Sequence, residues 1–199
     1  MNTTSIDLRQ HILDIAKPLL LGKGFTAVGL TELLAAAQIP KGSFYHYFES
    51  KEAFGNALLG AYFSDHLAYL DVLLGCPGTA AERLMSYWQY WLDTQTSDDP
   101  NTKCLAVKLS AEVSDLSESM RVTLAWGTQG IIQRLAQCIE AGKVDGSLPV
   151  AQDARILATA LYQTWLGASL LVKITRDRAP LDIAMVNTRQ LLSLPDLST

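Results

Sequence analysis

Between its glycine, proline and polar breaks, nearly every stretch of this chain repeats apolar residues at three- and four-residue intervals, and none alternates them strictly. Segments patterned this way can bury their apolar stripes only against other helices, so the fold class is all-α. The first helix runs from about Ile6 to Leu21, with Ile12, Leu13, Ala16, Leu19 and Leu20 on its apolar face. Pro18 removes one of its hydrogen bonds and should bend the last turns, and Gly22-Lys-Gly24 stops it. Short helices follow at Leu30–Ala37 and Lys41–Tyr47. Ser50 caps a long fourth helix with Glu52 in its first turn, where the dipole favours an anion.

Gly75-Cys-Pro-Gly78 ends that helix, and Thr79-Ala-Ala-Glu82 has the capping-box pattern that opens an aromatic-rich fifth. After the polar loop Thr96–Lys103 comes a short helix from about Cys104 to Val113. Asp115-Leu-Ser-Glu118 signals the start of a long helix reaching about Ala141, and Gly142, Gly146 and Pro149 make the next break. Helices from about Gln152 to Thr175 and from Leu181 to about Leu194 bring the expected count to nine.

Composition narrows the class. Apolar residues make up 49% of the 199, enough for a substantial core. No apolar run approaches the ~20 residues of a membrane span, and Met1-Asn-Thr-Thr-Ser5 lacks the basic and apolar regions of a secretory leader, so a cytoplasmic protein with no membrane partner is expected. Cys76, Cys104 and Cys138 have no metal-type spacing and read as free thiols in a reducing compartment. No nucleophile–base pair, phosphate loop or metal cluster is visible, so no enzyme, catalytic residue, metal or cofactor is expected. Net charge is −4, and residues 1–60 balance Arg9, Lys17, Lys23, Lys41 and Lys51 against Asp7, Asp14, Glu32, Glu49 and Glu52. Charge alone gives no sign of nucleic-acid binding, which must come from a motif.

That motif is Gly29–Phe48, GLTELLAAAQIPKGSFYHYF. A helix-turn-helix needs a short supporting helix, a tight turn, and a second helix whose first turn enters the major groove. Leu30, Leu33 and Leu34 anchor the supporting helix, Ala37 permits close approach, and Ile39 packs beneath the turn. Lys41, Gly42 and Ser43 then open the reading helix, with Tyr45 and His46 one turn on at phosphate height, and Tyr47 and Phe48 closing the small core. Thr31 on the supporting helix and Lys51, beside the amides of the next helix, complete the expected contacts to double-stranded DNA. A bare packing unit has no reason to gather these side chains around a glycine at a helix start.

Gly24-Phe25, Leu33 with Ala37, Lys41-Gly-Ser-Phe-Tyr-His-Tyr-Phe48 and Ser50-Lys-Glu52 together resemble the N-terminal signature of the tetracycline-repressor family, over most of residues 6–66. The resemblance implies a transcription regulator, most often a repressor: an all-helical homodimer with a three-helix DNA-binding domain (residues 1–50) and a ligand-sensing and dimerisation domain (residues 51–199). Two positions depart from the family pattern. Gln38 stands where glycine is usual and Pro40 where serine is usual.

Cys104–Glu118 and Trp165–Lys173 are similar to a subgroup of that family which senses electrophiles through a cysteine, matching Cys104 here, with Lys173 matching a lysine of the subgroup. The residues themselves add that Cys104, with Asn101 or Thr102 as N-cap, falls in a helix's first turn, with Lys103 adjacent and Lys108 on the same face, all favouring thiolate. The other reading of Cys104 is a small buried hydrophobe. Cys138 shares a face with Ile131 and Leu135 and reads as core. Tyr87, Trp88, Trp91, Trp126 and Trp165 either line an effector pocket or pack as core. His11 and His66 read as structural. Leu157, Leu161, Leu170 and Leu171, with Leu181, Val186, Leu191 and Leu192, offer more apolar surface than one layer of core needs, so a two-fold four-helix dimer interface is expected. Two further readings stay open: release by a reversibly bound apolar molecule, and a helical adaptor without DNA affinity.

Overall fold

The computed structural model describes residues 3–97, 99 and 103–195. Among these lie nine helices and no strand: α1 (Thr3–Lys23), α2 (Leu30–Ala37), α3 (Lys41–Tyr47), α4 (Lys51–Leu74), α5 (Ala80–Thr96), α6 (Leu105–Leu116), α7 (Glu118–Asp145), α8 (Ala154–Thr175) and α9 (Ala179–Leu191). The chain divides into two compact units, Met1–Ser64 with Ser97–Trp126, and Asp65–Thr96 with Gly127–Thr199. The first takes in more than the expected residues 1–50: it adds the front of α4, all of α6 and the start of α7.

Side-chain caps set the starts of α4, α5, α7 and α8. Ser50 Oγ accepts from the Ala53 amide at 3.0 Å and starts α4 as expected. Before α5, the Thr79 amide donates to Glu82 Oε2 at 2.8 Å and the Glu82 amide donates back to Thr79 Oγ1 at 3.3 Å, closing the capping box. Other boundaries move. The helix expected to end near Val113 continues to Leu116, because the cap of α7 is Ser117, whose hydroxyl accepts from the Met120 amide at 3.2 Å, and not Asp115. α7 runs through Gly142 to Asp145; a Cβ at Gly142 would sit 2.5 Å from Leu148 Cδ1, so this glycine serves close packing and not a break. Asp153, accepting from the Ile156 amide at 2.9 Å, caps α8, which starts at Ala154, two residues later than Gln152.

In the first unit, Ile12, Ala16 and Leu20 of α1 are buried with Leu33 and Ala37 of α2, Phe44 of α3, Phe54 and Leu58 of α4, and Leu105, Leu109 and Val113 of α6. His11 fixes the α1–α2 pair, its ring nitrogen lying 3.2 Å from the Ala37 carbonyl. The second unit is built on aromatics of α5 and α8 together with Leu135 and Ile139 of α7 and Leu181 and Thr188 of α9. Leu157 and Leu161, expected at a dimer interface, lie in this core at 3% and 0% exposure, because they share the buried face of α8 with Ala158 and Trp165. No helix among the described residues is long and apolar enough to cross a membrane.

Candidate functional site

Both departures from the family pattern lie in the turn into α3. Gln38 ends α2 in the left-handed conformation (φ 55°, ψ 41°), with its own amide donating to Ala35 O and the Ile39 amide to Leu34 O at 3.1 Å. This is the conformation glycine adopts without steric cost, which gives a physical reason for the usual residue there. Pro40 is the residue before α3, not its first helical residue; it offers no side-chain cap, and its carbonyl accepts from the Ser43 amide at 3.0 Å.

α3 is two-faced. Phe44 (0% exposed) and Phe48 (3%) point inward and meet each other and Phe54 at ring distances of 5.3–5.6 Å, while Tyr47 is half-buried. Lys41, Gly42, Tyr45 and His46 are exposed and Ser43 is half-buried; Thr31 is exposed on α2. The Lys41 ammonium lies 5.8 Å from the centre of the Tyr45 ring one turn on. A short helix is thus pinned by two aromatic anchors and turns a lysine, a glycine and two polar rings to solvent, as major-groove reading requires. Lys51, the first residue of α4, is half-buried. Its Nζ donates to the Phe25 carbonyl at 2.8 Å and sits 4.8 Å over the Phe25 ring. Burial lowers its pKa, partly offset by nearby Glu112.

Cys104 is the N-cap of α6, one residue before the first turn in which the sequence placed it, and it is half-buried. Asn101 and Thr102 lie outside the described residues. The Tyr62 hydroxyl of α4 donates to Cys104 Sγ at 3.3 Å, and the Lys17 ammonium lies 5.9 Å from the Tyr62 ring centre. Lys108 reaches toward α1, its Nζ 3.4 Å from the Gly22 carbonyl. Lys173 is exposed in the last turn of α8, in the second unit. Cys138 is buried, and desolvation raises its pKa; Cys76 is exposed.

Of the five aromatics grouped as a pocket, four come together in the second unit. Trp88 and Trp165 stack at 5.1 Å, and Tyr87 and Trp91 pack around them, all at 0–4% exposure. Trp126 belongs to the first unit, is 51% exposed, and meets Phe63 edge-on at 6.5 Å. Trp91 Nε1 donates to Ser169 and Trp165 Nε1 to Thr188, at 2.9 and 2.8 Å. The buried Trp88 Nε1 meets no acceptor among the described residues. On α8 and α9, Leu170, Leu171 and Val186 are about half exposed and Leu191 half-buried; Ile156, Ile174 and Ile183 are exposed as well.

Family models match at both ends of the chain: "Bacterial regulatory proteins, tetR family" over residues 12–58 and "Tetracyclin repressor-like, C-terminal domain" over residues 80–187. This chain belongs to the TetR family. It is 40% identical to the HTH-type transcriptional repressor NemR of Escherichia coli K12 over 96% of this chain and 97% of the relative. It is 34% identical to the HTH-type transcriptional repressor DhaR of a Mycobacterium species, over 88% and 87% of the two chains. The crystal structure of reduced E. coli NemR superposes with a TM-score of 0.90 at 42% identity, covering 96% of this chain and all of that one.

TetR membership makes the protein a DNA-binding transcription regulator and not an enzyme. Three residues important to the geometry went unnoticed in the sequence. Phe44 could have been found, since it lies four residues before Phe48 and one helical turn is all that separates the two anchors. Tyr62 and Glu112 could not, because each acts on a partner some 40 to 87 residues away.

Proposed function

We propose that this TetR-family protein is a repressor that grips operator DNA as a homodimer and is released when an electrophile or oxidant modifies Cys104. The observation that carries the DNA part is the outward set Lys41, Gly42, Tyr45 and His46 held on a helix that Phe44 and Phe48 lock from below. For the release part the support is the position of Cys104: half-buried, at the end of a helix, hydrogen-bonded by Tyr62 within the unit that also holds α2 and α3. Similarity to NemR across nearly the whole of both chains agrees with a repressor role. The outward apolar surface of α8 and α9 supplies the dimer contact, and two copies related by a two-fold meet major grooves about one turn, ~34 Å, apart or a multiple of it.

A maleimide tests the release step, because its double bond adds the Cys104 sulfur on one carbon and a proton on the other. Treated wild type should lose affinity for the DNA upstream of its own gene by about 5- to 150-fold, the usual span of allosteric coupling. Cys104→Ser should keep its affinity. A Cys104→Ser protein that responds like the wild type sinks the thiol reading.

One observation favours a second reading, release by a reversibly bound molecule. The buried Trp88 N–H without an acceptor is a costly group that a ligand carbonyl or ether oxygen would satisfy. Thermal stabilisation by unreactive carbonyl compounds, lost in Trp88→Phe, would support it.

A further inference from the structure

We propose that Glu112, on α6, is a positioning residue for DNA recognition: its carboxylate holds the Phe25–Thr26 turn from which α2 and α3 are launched. Glu112 Oε2 accepts from the Phe25 amide at 3.0 Å, and Oε1 accepts from the Thr26 amide at 2.6 Å. These adjacent amides follow the end of α1, and a bidentate carboxylate is the one side-chain group that offers each of them a charged acceptor. Gly24 makes the approach possible. Its φ is +92°, and a Cβ there would come within 2.9 Å of Glu112 Oε2.

The same segment is held from its other side. Lys51 of α4 donates to the Phe25 carbonyl at 2.8 Å, so groups of opposite charge from two helices bind one short stretch of backbone. The Phe25 ring and Val28 are buried beneath it, at 7% and 2% exposure, and the Lys23–Glu32 ion pair (2.6 Å) closes the turn from outside. An open groove of about 260 Å³ lies beside Phe25, Thr26 and Lys51. α2 begins at Leu30, four residues beyond Thr26, and α3 follows within the same motif, so a shift at the turn re-aims the reading helix. Removing the anionic Glu112 would by charge alone strengthen phosphate binding, so a loss of affinity in its variants must pass through geometry. The inference stands without the cysteine reading, although a disturbance at the α6 N-cap would travel along the helix that carries Glu112.

The test uses the full-length protein and a duplex from immediately upstream of its own gene, with Glu112→Ala and Glu112→Gln. Glu112→Ala should bind about tenfold or more weakly, a size typical of coupled sites. Glu112→Gln, with one acceptor oxygen left, should fall between. The salt dependence should stay that of the wild type, because no phosphate contact is lost. Amide exchange at Phe25 and Thr26 should accelerate in both variants while that of α8 does not. Wild-type affinity with accelerated exchange overturns the positioning role, and unaltered exchange overturns the clamp itself. If Glu112→Ala fails to fold, the near-isosteric Glu112→Gln decides by the same two readouts. A wild type that ignores the upstream duplex removes the operator assumed here, and the exchange measurement still decides the clamp.

Discussion

The hydroxyl of Tyr62 donates to the sulfur of Cys104 across 3.3 Å, joining the middle of α4 to the first residue before α6. The phenol is thereby set against the sulfur that an electrophile would meet. Tyr62→Phe removes the hydroxyl and keeps the ring that packs on Phe63 at 5.2 Å. Alkylation of Cys104 by a maleimide, followed by mass spectrometry at neutral pH, should slow by about tenfold, the worth of one charge-assisted hydrogen bond of ~1.5 kcal/mol. An unchanged rate means the phenol does not attend the reacting sulfur.

Gln38 occupies a left-handed backbone position with φ +55°. Gln38→Gly should therefore stabilise the protein by about 1 kcal/mol, since glycine adopts this conformation without the Cβ clash. For a chain of this size that is a rise of about 2–4 °C in Tm. A fall in Tm by calorimetry would show that the side chain of Gln38 contributes more than its backbone costs.

Local chemistry was legible wherever one residue decides an outcome. The bounds of α3, the Ser50 cap and the Thr79/Glu82 box all follow from residues within one turn of each other, and the family signature is local in the same sense. Reading failed where the deciding partner is distant. Nothing near Lys51 in the sequence announces its bond to the Phe25 carbonyl 26 residues away. Leu157 and Leu161 share apolar character with Leu170 and Leu171, and only the packing of α8 sorts the buried pair from the exposed one. Cys104 was placed inside the helix because both the first turn and the cap position suit a residue that follows a polar loop.

The two faces of α3 should respond to mutation in opposite ways. Lys41→Ala should leave the thermal transition close to that of the wild type and, if the ammonium meets a phosphate, flatten the dependence of log affinity on log salt by about 1. Phe44→Ala removes a fully buried ring from beneath the motif and should cost about 3–5 kcal/mol in denaturant unfolding. If Phe44→Ala is as stable as Lys41→Ala, the two-faced description of α3 fails.

Stability should fall in acid through identifiable carboxylates. Asp145 accepts from Ser147 and from the Ala80 amide at the start of α5, and these bonds hold its pKa below the ordinary carboxylate value. Burial alone would raise that of Glu112, but the hydrogen bonds from Thr26 and Phe25, with Lys108 nearby, outweigh it and lower the pKa. Groups whose folded pKa is depressed stabilise fully above the unfolded value, about 4, and lose that contribution as pH falls through the folded value. Urea midpoints measured from pH 7 down to about 3 should therefore decline, and the decline should be shallower in Asp145→Asn and in Glu112→Gln. Equal slopes in all three proteins would mean other groups govern acid unfolding.

The outward stripe of α8 and α9 gives the last expectation. Ile156, Leu170 and Ile174 lie along one side of α8, and Ile183 and Val186 along α9, each half or more exposed. Apolar side chains exposed on two packed helices are costly in water, a cost offset when a second copy covers them. Ile174→Asp places a charge at 68% exposure, where it is solvated in a lone chain and desolvated in a dimer. Sedimentation should then show a monomer with wild-type helicity, and affinity for the upstream duplex should fall with dimerisation, because a single reading head keeps only half the contacts. Leu161→Ala, in the core at 0% exposure, should behave differently: a loss of about 2–5 kcal/mol in stability with the assembly state of the folded fraction unchanged. A fully dimeric Ile174→Asp protein would move the interface elsewhere on the molecule.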